Sequence, residues 1–114
     1  MRSLLLVLAV WTAGSLPLGV LVGRAGFGTF EATGEPEIGF TLFRQFRGLG
    51  YATEAAASLR DWLFRETPWD HFIGFAHVDN APSIAVLKRI GMIESGIADF
   101  HGMPCLFHRM EKAA

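Results

Sequence analysis

The sequence has a single cysteine, Cys105, which excludes an internal disulfide and the paired-cysteine frame of a zinc finger. No metal is expected, and a lone thiol fits a reducing compartment such as the cytoplasm. Charge is also scarce. Only 18% of residues are charged, Lys plus Arg number 10 against 11 Asp plus Glu, and the net charge is −1. With no basic block to neutralise a run of phosphates, nucleic acid is excluded as a partner. The polar excess that keeps chains disordered is missing too, because 51% of residues are hydrophobic and 12% aromatic. The 114 residues leave room for one domain, expected to span 1–114, able to bury roughly two thirds of its unfolded surface. There is no internal repeat, linker or low-complexity tract.

Between Arg2 and Arg24 no residue carries charge. Such a run is long enough for a membrane-spanning helix, and Arg2 followed by Leu4 to Val10 also imitates a secretory signal with Ala13-Gly14-Ser15 as its cleavage site. Gly14, Ser15, Pro17 and Gly19 interrupt the run at its centre, so the leading reading is two buried strands, Leu4 to Thr12 and Leu18 to Gly23, about a turn at Ala13 to Pro17. No membrane association follows from that reading; an N-terminal anchor or signal follows from the others.

Arg24 to Pro36 carries Gly26, Gly28 and Gly34 among scattered polar residues and reads as a loop. Glu37 to Phe43 is rich in β-formers and reads as a strand. Ala52, Ala55, Ala56, Leu59, Trp62 and Leu63 fall on one helical face, predicting an amphipathic helix from Ala52 to Phe64 that Thr67-Pro68 ends. His71 to His77 reads as a buried strand. Asp79-Asn80 offers a cap, Pro82 suits a first turn and Gly91 a left-handed stop, predicting a short helix from Ser83 to Ile90. Ile93 to Phe100 and Pro104 to Met110 form a closing hairpin about His101-Gly102. The strand-helix-strand-helix centre implies an α/β (α+β) fold: a mixed β-sheet with a parallel pair at its middle and two main helices.

The segment Gln45-Phe46-Arg47-Gly48-Leu49-Gly50-Tyr51-Ala52 sits at a predicted strand-to-helix junction. Glycines there let backbone approach a ligand, and the first turn of the helix offers N–H groups at the positive end of its dipole. That combination suits an anion such as a pyrophosphate, with Arg47 adding charge at the lip. The same glycines also suit a tight connection that serves packing alone.

The run Q-F-R-G-L-G-Y-A-T-E-A resembles the Gln/Arg-x-x-Gly-x-Gly/Ala signature of GNAT-type N-acetyltransferases, in the style of the ribosomal-protein N-terminal acetyltransferases. Asn80-Ala81-Pro82-Ser83-Ile84-Ala85-Val86-Leu87-Lys88-Arg89-Ile90-Gly91-Met92 resembles that subgroup's later segment, and the resemblance covers roughly Trp11 to Met110. It implies acetyl-CoA as co-substrate and a primary amine, of a protein N-terminus or a small molecule, as acceptor. Backbone N–H groups of Arg47, Gly48, Leu49, Gly50, Tyr51 and Ala52 would hold the pyrophosphate, with Gln45 and Arg47 flanking it. The strand Glu37 to Phe43 would splay from His71 to His77, freeing main-chain groups near Phe40 and Leu42 for the pantetheine amides. Asn80 and Ser83 would lie near the thioester, although as a cap and a first-turn residue they have an ordinary structural reading as well.

Under the same resemblance Glu37 is the first choice for general base, with His77 and Asp79 in reserve, while Glu37 also reads as a solvated charge at a strand entrance. Relatives often protonate the leaving thiolate with a tyrosine of the last helix, but the sole tyrosine here is Tyr51, so Ser83 becomes the candidate donor. The N–H after Leu42 would polarise the thioester carbonyl. The strand and helix pair with which this family's core normally begins are missing, so the chain reads as a domain shortened at its N-terminal end. Exposed apolar surface left there would favour a homodimer. Two functions follow: an acetyl-CoA-dependent N-acetyltransferase, or a catalytically impaired acyl-CoA-binding remnant of the same fold.

Overall fold

The computed structural model describes residues 8–9, 23–42 and 50–113. Strand β1 is Leu8–Ala9, β2 Gly23–Thr29, β3 Pro36–Leu42, β4 His71–His77, β5 Ile93–Phe100 and β6 Met103–Glu111; helix α1 is Tyr51–Glu66 and α2 Ala81–Arg89. The strands form one mixed sheet in the order β1-β2-β3-β4-β6-β5, parallel only between β3 and β4. Of the expected strand Leu4 to Thr12, only Leu8–Ala9 falls among the described residues; the turn at Ala13 to Pro17 and nearly all of Leu18 to Gly23 lie outside them.

The expected loop Arg24 to Pro36 is corrected. Gly23–Thr29 pairs with β3 from Gly23↔Leu42 to Thr29↔Pro36, and the connection shrinks to residues 30–35. Glycine is weak in strands because it has no side chain to pack. Here Ala25 and Phe27, two residues apart, are each 5% exposed in the core, and their burial with the β3 ladder offsets the intervening glycines. Gly34, at φ 79°, closes the connection with its N–H on the Phe30 carbonyl at 2.7 Å.

The remaining elements fall where periodicity puts them. Thr67 ends α1, its N–H and hydroxyl both donating to the Leu63 carbonyl. Asn80 caps α2 by accepting the Ser83 N–H at 3.3 Å, and Pro82 occupies the first turn. His101 and Gly102, at φ 51° and 84°, make the tight turn between β5 and β6, because a two-residue hairpin with right-handed strand twist needs positive φ at both positions.

Both helices cover one face of the sheet. Phe72, fully buried, packs edge-on against Phe27 at 5.2 Å, and Ala56, Leu59, Leu87 and Ile90 close over them. Gly74 is where α2 comes down: a Cβ there would stand 2.9 Å from Ile38 Cγ2 and 3.0 Å from Leu87 Cδ2. Strand alternation turns Glu37, Gly39, His71, Ile73, Phe75 and Phe107 toward the opposite face.

Candidate functional site: a wedge between β3 and β4

Strands β3 and β4 share a single ladder position, Glu37↔Ile73. Each gives its other edge away along its whole length, β3 to β2 and β4 to β6. Past Glu37 the two parallel strands therefore separate, and the edges facing each other beyond that point hold main-chain donors and acceptors outside any ladder. The wedge opens toward the carboxyl ends of both strands. Main chain at Phe40 and Leu42 lies on one bank, while the Phe40 side chain packs into the core beneath the helices.

Helix α1 starts just past the open end. Gly50 stands at its N-cap at φ 84° with no side-chain cap, and the first intrahelical bond runs from the Glu54 N–H to the Gly50 carbonyl at 3.0 Å. The Ala52 and Thr53 N–H groups lie ahead of that bond, at the positive end of the dipole. Among the described residues, a Cβ on Gly50 would meet nothing within 4 Å. Tyr51 and Ala52 are half-buried against the core, which anchors the helix start. Gln45, Arg47, Gly48 and Leu49, with the N–H following Leu42, lie outside the described residues.

Helix α2 begins at the carboxyl end of β4, so Asn80 and Ser83 also reach the open side of the wedge. Their side chain and N–H are joined in the cap. Asp79 donates its N–H to His77 Nδ1 at 3.0 Å, which leaves the proton of the neutral ring on Nε2.

Glu37 sits at the closed end. It is half-buried, and burial raises its carboxyl above the ordinary glutamate value. Among the described residues it has neither hydrogen bond nor ion pair. A half-buried carboxylate without a counter-charge invites a proton or a cation.

Two groupings escaped sequence reasoning. His71, Asp70, Glu35 and Arg109 meet at the start of β4, beside the closed end of the wedge, and Phe30, Phe75, Phe100 and Phe107 cluster on the face away from the helices. Alternation within the terminal hairpin was the available signal for Phe107; nothing local announces the rest. No group of three or more His, Cys, Asp or Glu among the described residues could hold a metal ion. Nor is any described helix long and apolar enough to cross a membrane.

Comparison with known proteins adds four likenesses. Residues 5–93 match the family model described as Acetyltransferase (GNAT) domain. An uncharacterised N-acetyltransferase of Bacillus subtilis, YnaD, is 32% identical over 76 residues, 67% of this chain and 45% of that protein. An acetyltransferase structure from Agrobacterium tumefaciens superposes with a TM-score of 0.74 at 30% identity, covering 83% of this chain and 56% of that one. The microcin C7 self-immunity acetyltransferase, solved with acetyl-CoA and AMP, shares the fold at a TM-score of 0.68 and 23% identity, over 80% of this chain and 54% of that one. The chain spans about half the length of the curated relatives it matches.

Proposed function

Because the chain belongs to the GNAT acetyltransferase family, we propose that it transfers the acetyl group of acetyl-CoA to a primary amine, acting as a single domain over residues 1–114. The observation that carries this reading is the separation of β3 from β4 beyond Glu37↔Ile73. Pantetheine carries two amides, and an opened parallel pair offers them main-chain partners that a closed sheet would have used. At the open end, the uncapped start of α1 at Gly50 suits the pyrophosphate, with Gln45, Arg47, Gly48 and Leu49 completing the cradle. Asn80 and Ser83 stand near the thioester.

An amine with a pKa of about 10 is protonated at pH 7, and freeing its lone pair costs about 4 kcal/mol. Glu37 meets that cost by accepting the ammonium proton, and burial favours this by raising its carboxyl toward the working pH. The neutral nitrogen attacks the thioester carbon, the nitrogen–carbon bond forms and the carbon–sulfur bond breaks. The second nitrogen proton passes to the Ser83 oxygen as the Ser83 hydroxyl gives its own proton to the departing sulfur, so Ser83 ends as it began. Products are the acetamide and coenzyme A thiol, with one proton passing from Glu37 to water. We place the reaction in the cytoplasm, where Cys105 stays reduced, and propose that the protein works as a homodimer.

Thermal unfolding with and without acetyl-CoA tests the reading, since a ligand bound only by the folded chain raises Tm by mass action. We expect a rise, and release of free thiol when an amine is added. Absence of any shift with every coenzyme A thioester tried overturns it, whereas a shift without thiol release points to an acyl-CoA-binding protein that does not turn over.

A further inference from the structure

The sheet consists of two three-stranded halves, β1-β2-β3 and β4-β6-β5, whose ladders meet among the described residues only at Glu37↔Ile73. One rung of a parallel pair supplies at most two main-chain hydrogen bonds, too few to fix how far the strands diverge beyond it. Apolar packing also bridges the halves, through Phe27 against Phe72 and Phe30 against Phe75 and Phe107. Such contact is non-directional, so the rings can slide on one another with little loss. The polar links are directional, and among the described residues every side-chain hydrogen bond between the halves ends on Glu35. Its Oε2 lies 2.8 Å from His71 Nε2 on β4 and 3.2 Å from the Arg109 guanidinium on β6. Glu35 stands two residues before Glu37, and His71 two before Ile73, so this pair falls where the next rung would be, on the closed side of the wedge. Glu35 is itself held, its carbonyl accepting the Phe30 N–H at 2.8 Å and its N–H donating to the Thr33 hydroxyl at 3.3 Å. Its side chain and that of His71 are 21% and 14% exposed, which shields the pair from the solvent that weakens surface ion pairs.

We infer that Glu35 is a positioning residue for acetyl-CoA: through His71 and Arg109 it pins the closed end of the wedge and so sets the gap into which pantetheine fits. The inference rests on the transfer reading and deepens it by adding a residue that acts through others. Strands that diverge from a fixed point keep their spacing before the ligand arrives, so binding does not have to order them. Without the pin, the halves are joined by one rung and by packing that slides, and acetyl-CoA must hold them itself. A pin of this chemistry responds to pH. His71 has Asp70 at Nδ1 and Glu35 at Nε2; Arg109 and Glu111 stand beside it on β6, Trp69 is edge-on at 5.7 Å, and Glu37 lies one pleat along β3. Donating to both carboxylates requires both ring protons. The hydrogen bond to Asp70 first, then that to Glu35, raises His71 against its burial. The pin is therefore complete below about 6.5 and loosens as pH rises through the raised folded value, where one carboxylate loses its donor.

The test measures the Kd of acetyl-CoA for the whole chain by titration calorimetry at pH 6 and pH 9, at a temperature well below every Tm. Glu35→Ala is expected to weaken acetyl-CoA about fivefold at pH 6, the scale of one lost hydrogen bond, with kcat at saturating acetyl-CoA changed less than about twofold. At pH 9 the unsubstituted protein is expected to approach the variant. Glu35→Gln keeps the reach and an acceptor oxygen, so it is expected to fall between the two, and it carries the comparison if the alanine variant does not fold. Adding Arg109→Ala to Glu35→Ala is expected to weaken binding no further, because both residues act through one link. A folded Glu35 variant with lowered Tm and unchanged Kd means that the cluster only stabilises the fold, which overturns the inference. A loss of kcat with Kd unchanged, or losses that add in the double variant, overturns it as well. Each of these results leaves acetyl transfer intact. No binding of acetyl-CoA by the unsubstituted protein removes the transfer reading, and this inference with it.

Discussion

His71 Nε2 lies 2.8 Å from Oε2 of Glu35, a residue 36 positions earlier in the chain, while its Nδ1 lies 2.8 Å from Asp70 Oδ1. Both ring nitrogens face carboxylate oxygens, which accept and do not donate, so the geometry belongs to the imidazolium. Arg109 joins from β6, its guanidinium 3.2 Å from Glu35 and also paired with Glu111. The cluster clasps the β2–β3 connection to the start of β4 and the end of β6.

Stability is therefore expected to depend on pH in two directions. The hydrogen bond to Asp70, more than the one to Glu35, raises His71 against the opposing effect of its burial. The His71 contribution is complete below about 6.5 and fades as pH rises through its elevated folded value. Burial pushes Glu35 up, but Thr33, His71 and Arg109 together hold it below the ordinary glutamate value; Asp70 is lowered chiefly by its hydrogen bond to His71. Their contributions exist above the ordinary carboxylate range and vanish as pH falls through the lowered values. Glu35→Gln should cost about 1 kcal/mol near pH 6, some 4 °C in Tm, and less at pH 9. An equal loss at both pH values in thermal melts would contradict the clasp.

Glu37→Gln should reduce kcat by about a hundredfold if the carboxylate accepts the ammonium proton, and leave the acetyl-CoA-induced Tm shift in place. The acidic limb of the pH–rate profile should disappear with it. Stopped assays across pH 5–9 decide the matter; retention of that limb assigns it to another group.

Gly50→Asp separates folding from cofactor binding. Aspartate tolerates left-handed backbone better than most residues, so the strain at φ 84° should cost the unliganded protein about 1 kcal/mol, some 4 °C in Tm, and leave it folded. Its charge should oppose a pyrophosphate, and the Tm rise with acetyl-CoA should fall or vanish. An undiminished rise would place the phosphates elsewhere.

His108 is fully buried and neither ring nitrogen has a hydrogen-bond partner among the described residues. Burial, more than any neighbouring charge, lowers its pKa, so its folded form resists protonation and stability falls as pH drops below about 6.5. His108→Phe removes two unsatisfied polar atoms and is expected to stabilise the fold by about 1 kcal/mol or leave it unchanged, with a flatter Tm profile between pH 5 and 7. Denaturant melts at both pH values supply the test. A loss above about 2 kcal/mol at pH 7 would mean the ring has a partner that matters.

Legibility in the sequence tracked how local each signal was. Helix α1 was readable from Ala55, Ala56, Leu59 and Leu63, all buried now, because one helical face repeats within a few residues. Asn80, Pro82 and Gly91 bounded α2 through backbone preferences that act over one turn. The glycine-laden β2 was misread as a loop because its evidence for being a strand lies in β3 and in the core, not in its own composition.

The order of elements from β3 onward, the helix faces, the closing hairpin and the resemblance that led to Gly50, Asn80 and Ser83 were determined by the sequence itself, since each depends on neighbours along the chain. Tertiary structure alone decided that Glu37 closes a wedge without a counter-charge among the described residues, that His71 and Arg109 both clasp Glu35, and that four phenylalanines distant in sequence gather on one face. Those relations join residues distant in sequence. They arise from strand register and from the order in which strands are laid into the sheet, which no window of local periodicity contains.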